Sequence, residues 1–149
     1  MDVKKELYIL CETYVNQRKE TVEKVMKSNR IALEGETKSS AGDKHETGRA
    51  MLQLEMEKAS QQFEVVQKMT MVLQQINIIK TSEIICLGSI VYTTKGIYFL
   101  AISVGKLIVE KTEYYVISSS SPIGKLLLGK QKNDSIVFNG NKIEIKEVT

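Results

Sequence analysis

Near residue 77 the apolar residues of this 149-residue chain change from helical spacing to strict alternation, and few folds accommodate both. Before the change, Val3, Leu7, Leu10 and Tyr14 step by four, three and four, as in a coiled-coil seam. The seam then shifts by one residue to Val15, Val22, Val25 and Ala32, in the manner of a stutter that alters supercoil without ending the helix. From Glu34 to Gly42 periodicity is lost among two glycines and small polar residues, which predicts a helix stop and a loop. A second helical stripe, Met51, Leu54, Met56, Ala59, Phe63, Val66 and Leu73, occupies about Asp43 to Asn77. Asp43 followed by Glu46 forms a capping box with Asp43 as N-cap. Each helix would span about 45 Å at 1.5 Å per residue. Two narrow seams joined by a short connection predict an antiparallel α-helical coiled-coil hairpin over residues 1–77, with an acidic tip near 38–48.

After the change, Ile84–Thr94, Gly96–Val104, Tyr114–Ser118, Asp134–Asn139 and Lys142–Val148 are rich in Ile, Val, Tyr, Phe and Thr. Turn signals stand at 94–96, 104–106 and Asn139-Gly140, the last a strong hairpin signature. Ser121-Pro122 opens a short helix as N-cap and N1, and Gly129 closes it. Residues 78–149 therefore read as one small α+β domain, with Leu126, Leu127 and Leu128 assigned to its core, allowing for one of them exposed. Tyr114 and Tyr115 alternate across a strand, one ring inward and one outward.

Chemistry-bearing residues are sparse. Cys11 and Cys86 have no metal or disulfide spacing and read as two buried, reduced thiols. The single histidine, His45, falls at the expected tip with no cysteine near it, and no nucleophile–base pair, phosphate loop or metal-ligand cluster is recognisable, which argues against an enzyme. Residues 1–77 carry 12 basic and 12 acidic side chains, so the formal net charge of +3 comes from residues 78–149. That excess does not amount to the concentrated basic face of a stand-alone DNA binder. Arg18, Lys19, Lys24, Lys27 and Arg30, against Glu20 and Glu23, form a local basic stretch, read as a solvated face or as a steering patch for an acidic partner. No apolar run reaches membrane-spanning length and no secretory leader stands at Met1, so a cytoplasmic location is expected.

Three stretches then carry a resemblance. Gly42-Asp43-Lys44-His45-Glu46 resembles the Gly-Asp-x-x-Glu tip of the Gre-type transcription elongation factors of bacteria (the GreA and GreB type, which promote transcript cleavage). The stretch from Ile117 to Lys130 resembles that family's Ser-Pro-x-x-x-x-Leu-x-Gly-Lys signature, and Asp134–Val148 has the form of its closing strands. The resemblance implies an FKBP-like C-terminal domain, although the absence of Trp and the few aromatics leave little for an isomerase pocket. It implies insertion of the coiled coil into the secondary channel of RNA polymerase. There Asp43 and Glu46 would help hold a Mg²⁺ shared with the polymerase, beside the 3′ end of the nascent RNA. It also implies a monomeric accessory factor with no stably bound cofactor, docking on polymerase through Ser121, Pro122, Ile123 and Lys125. Behind the tip, Thr47-Gly48-Arg49-Ala50 stands where cleavage-stimulating members have Asn-Ala-Glu-Tyr. That departure supports an alternative, a channel-binding modulator or inhibitor without cleavage activity. A coiled-coil interaction module unrelated to transcription is the reading that needs no resemblance at all.

Overall fold

The computed structural model describes residues 2–38 and 42–149, with side chains except at 36–46. Asp2 caps the first helix, α1 (Val3–Lys38): its carboxylate accepts from the Lys5 N–H at 3.2 Å and its carbonyl from the Glu6 N–H at 3.1 Å. The expected stop after Leu33 does not occur, and α1 runs on through Gly35. One glycine costs a growing helix about 1 kcal/mol relative to Ala, whereas stopping forfeits a hydrogen bond at every later residue. Gly35 is also absent from the residues of positive φ, the conformation by which a glycine usually ends a helix.

The second helix, α2 (Gly42–Gln74), holds Asp43 in its first turn, and the side chains of the expected Asp43–Glu46 capping box lie outside the described residues. Its last turn tightens through Gln75 N–H to Val72 O (3.0 Å) and Ile76 N–H to Leu73 O (3.2 Å). The Leu73 carbonyl also accepts from Tyr8 Oη at 3.0 Å. Asn77 Oδ1 then accepts from the Ile79 N–H at 3.0 Å and turns the chain away.

The structure divides into two compact units, Val15–Thr70 and the combination of Met1–Tyr14 with Met71–Thr149. In the first unit, the α1 and α2 segments lie side by side and antiparallel: Arg18 reaches the Met69 sulfur at 3.7 Å, Met26 faces Phe63, and Asn29 shares a cavity with Met56 and Ala59. The inward residues of α1 are Val15, Arg18, Val22, Met26, Asn29 and Leu33, and those of α2 are Leu52, Met56, Ala59, Phe63 and Val66. Val25, Ala32, Met51 and Leu54, expected in the seam, are exposed. From Arg18 the α1 seam steps four and four to Met26, a stutter, while α2 steps four, three, four from Thr70 to Ala59. This mismatch leaves Met26 and Phe63 only half-buried. Asn29 is 6% exposed and its Nδ2 meets no hydrogen-bond partner among the described residues.

The second unit carries a six-stranded sheet of order β3-β4-β2-β1-β6-β5, from β1 (Ile90–Thr93), β2 (Gly96–Ala101), β3 (Gly105–Val109), β4 (Thr112–Ser118), β5 (Ser135–Phe138) and β6 (Asn141–Val148). All neighbours are antiparallel except β2 and β4, which pair in parallel from Tyr98↔Tyr115 to Ala101↔Ser118. Strand β3 was not expected. It forms the crossover between the two parallel strands and returns through Glu110 and Lys111, both at positive φ. On one face of the sheet, Val91, Leu100, Ile143 and Ile145 pack with Ile123 and Leu127 of a short helix, α3 (Pro122–Leu127). The opposite face buries Ile90, Phe99, Tyr114 and Val116. The architecture is thus a pair of long N-terminal helices followed by an α+β sheet domain. No helix among the described residues is long and apolar enough to cross a membrane.

Candidate functional site

The two regions singled out by sequence are the start of α2 and the start of α3. Asp43 and Glu46, three apart on α2, share one helix face. Their side chains, with those of Lys44 and His45, lie outside the described residues. Just behind them Thr47, Arg49 and Ala50 are exposed and Gly48 is half-buried. The chemistry of the acidic pair is that of hard oxygen donors suited to Mg²⁺, but two carboxylates leave most of an octahedral shell unfilled. Among the described residues, no three His, Cys, Asp or Glu side chains gather as a metal site requires.

At α3, Ser121 does what its position before Pro122 predicts. Its Oγ accepts from the Gly124 N–H at 3.1 Å and donates to the Ser118 carbonyl at 2.6 Å, tying the helix start to the end of β4. Ser118 Oγ and Ser120 Oγ lie 2.8 Å apart and stiffen the connecting turn. Pro122 and Lys125 are at the surface. Ile123 differs from its expected place in a docking patch: it is 9% exposed and belongs to the core cluster, because the cap and the proline turn that side of the helix onto the sheet. Leu126 and Leu128 are 38% and 39% exposed, while Leu127 alone is buried. At 100° per residue Leu126 cannot share the face of Leu127, and Leu128 already leaves the helix as its C-cap, before the Gly129 that the sequence marks as the stop. The surface here is therefore Pro122, Lys125, Leu126 and Leu128.

The thiols offer no competing chemistry. Cys11 is fully buried in α1, and burial pushes its thiol up to about 12, far from a working thiolate. Cys86 is half-buried, with Sγ 3.6 Å from Ser89 Oγ.

No protein-family model matches the chain, and no curated protein matches it. Among solved structures it is similar to one described as the structure of the transcription factor Gfh1, at 18% identity over 95% of this chain and 92% of that one, with a TM-score of 0.33.

Proposed function

We propose that this chain is a Gre-like accessory factor that binds RNA polymerase through its secondary channel. It acts there by presenting Asp43 and Glu46 to the active centre. The observation that carries the reading is the joint placement of the motifs: the acidic pair falls in the first turn of α2, where the two long helices succeed one another, and the Ser-Pro signature caps a helix on the sheet domain. In this reading the Val15–Thr70 helix pair enters the channel, and the sheet unit docks outside it through the surface around Pro122 and Lys125.

Asp43 and Glu46 would hold a Mg²⁺ with the polymerase completing its shell. When bound, that ion supplies an activated water for hydrolysis near the 3′ end of the nascent RNA. The chain's own part is positioning. Two acids three residues apart at the start of a helix would be delivered to that ion together.

The test uses stalled elongation complexes of purified RNA polymerase with the full chain added. Shortened transcripts are expected. Arg49, exposed where cleavage-stimulating relatives have an acid, favours a second reading in which the chain occupies the channel and slows synthesis. Slowed extension without shortening would select that reading, and no effect on either would reject both.

A further inference from the structure

Two openings adjoin on one side of the Val15–Thr70 unit, of about 370 and 130 Å³, and share Met26 and Arg30. Glu23, Lys27 and Phe63 line the larger, with Glu23 already paired to Lys19 at 4.0 Å, and Asn29 and Met56 line the smaller. Three properties distinguish this groove. First, Asn29 is buried and its Nδ2 has no partner among the described residues, although buried polar groups in folded proteins are nearly always satisfied. Second, Lys19, Lys24 and Lys68 each pair with a glutamate one helical turn away, whereas no ion pair joins Lys27 or Arg30 to an acid among the described residues. Third, the apolar floor is Met26, Met56 and Phe63, and the two unbranched methionines can turn aside and repack around an occupant.

We infer that this groove receives an acidic amphipathic helix of RNA polymerase, a partner that rests on the functional reading above. A groove between two antiparallel helices takes a third helix along its length. The apolar face of that helix would cover Met26, Met56 and Phe63, and its carboxylates would pair with Lys27 and Arg30. One carboxylate would accept from Asn29 Nδ2 once the methionines move. Nucleic acid fits less well: the floor is mainly aliphatic, two cations make a short phosphate track, and residues 1–77 balance 12 bases with 12 acids.

The experiment measures binding of the full chain to purified RNA polymerase, together with thermal unfolding of the free chain. Asn29→Leu is expected to raise Tm, because it removes an unpaired donor, and to weaken binding at least tenfold. A residue with only a structural role would not give these opposite signs. The surface variant Lys27→Glu with Arg30→Glu is expected to weaken binding at least tenfold and to flatten its salt dependence. A photo-crosslinker at Lys27 should label an acidic helical segment of a polymerase subunit. Unchanged affinity in the charge-reversed protein, or a higher Tm in Asn29→Leu with undiminished binding, would overturn the inference while leaving the functional reading intact. So would crosslinks to RNA or DNA. Failure of the unmodified chain to bind polymerase would overturn both.

Discussion

Gly124 sets how closely α3 can approach the end of β4. A side-chain carbon there would overlap the Ser118 carbonyl and crowd Ser121 Oγ, the two atoms through which the helix start is tied down. Gly124→Ala should therefore destabilise the protein by about 2 kcal/mol through overpacking, read as a fall in Tm. Ser121→Ala, which loses both the cap and the hydrogen bond to the Ser118 carbonyl, should cost about 2 kcal/mol. Cys11 leads to a prediction about pH. Its thiol ionises near 9 when the chain is unfolded and is pushed up to about 12 in the fold, with burial as the cause. The folded state then holds its proton more tightly across that window, so this contribution to stability is complete below about pH 9 and is lost as pH rises towards 12. Denaturant titrations should show stability falling over this range, and Cys11→Val should flatten the fall.

At the scale of elements, Gly35 is the position where propensity and structure disagree. It lies inside α1 with nothing within 4 Å of where a side chain would begin. Gly35→Ala should stabilise the protein by about 1 kcal/mol, measurable as a raised denaturation midpoint. A loop at Gly35 would instead make the change neutral or harmful.

Such disagreements mark what the residues could tell in advance. The Asn139-Gly140 turn, the Ser121 cap and the alternating strands were legible because each rests on local chemistry: φ values of 50° and 78° at the turn, and a hydroxyl facing a free N–H at the cap. Strand β3 was not legible, because its turn is Glu110-Lys111, two residues with no preference for the positive φ they adopt. The inner face of α1 was misread for a different reason. Apolarity drew the seam to Val25 and Ala32, while packing turned Met26 and the polar Asn29 inward. The candidate docking patch was half legible for the same reason. Ser121 and Pro122 declare the helix, but only the fold separates buried Ile123 from exposed Lys125, Leu126 and Leu128.

For the molecule as a whole, the two units differ in kind. One is a helix pair with a narrow seam, a buried Asn29 Nδ2 that has no partner among the described residues, and open grooves, and the other is a sheet with both faces buried. Local opening should follow that division. In hydrogen exchange, amides of residues 26–33 and 52–59 should exchange before those of β1, β2 and β4. The central claim is that the carboxylates at the start of α2 act within RNA polymerase. Its most direct test is transcript length in stalled elongation complexes, comparing the unmodified chain with Asp43→Asn plus Glu46→Gln while polymerase binding is monitored in parallel. These substitutions remove the two charges and keep shape. The account predicts that the unmodified chain shortens transcripts, and that the variant binds polymerase equally well but shortens none. Equal shortening by both proteins would contradict it.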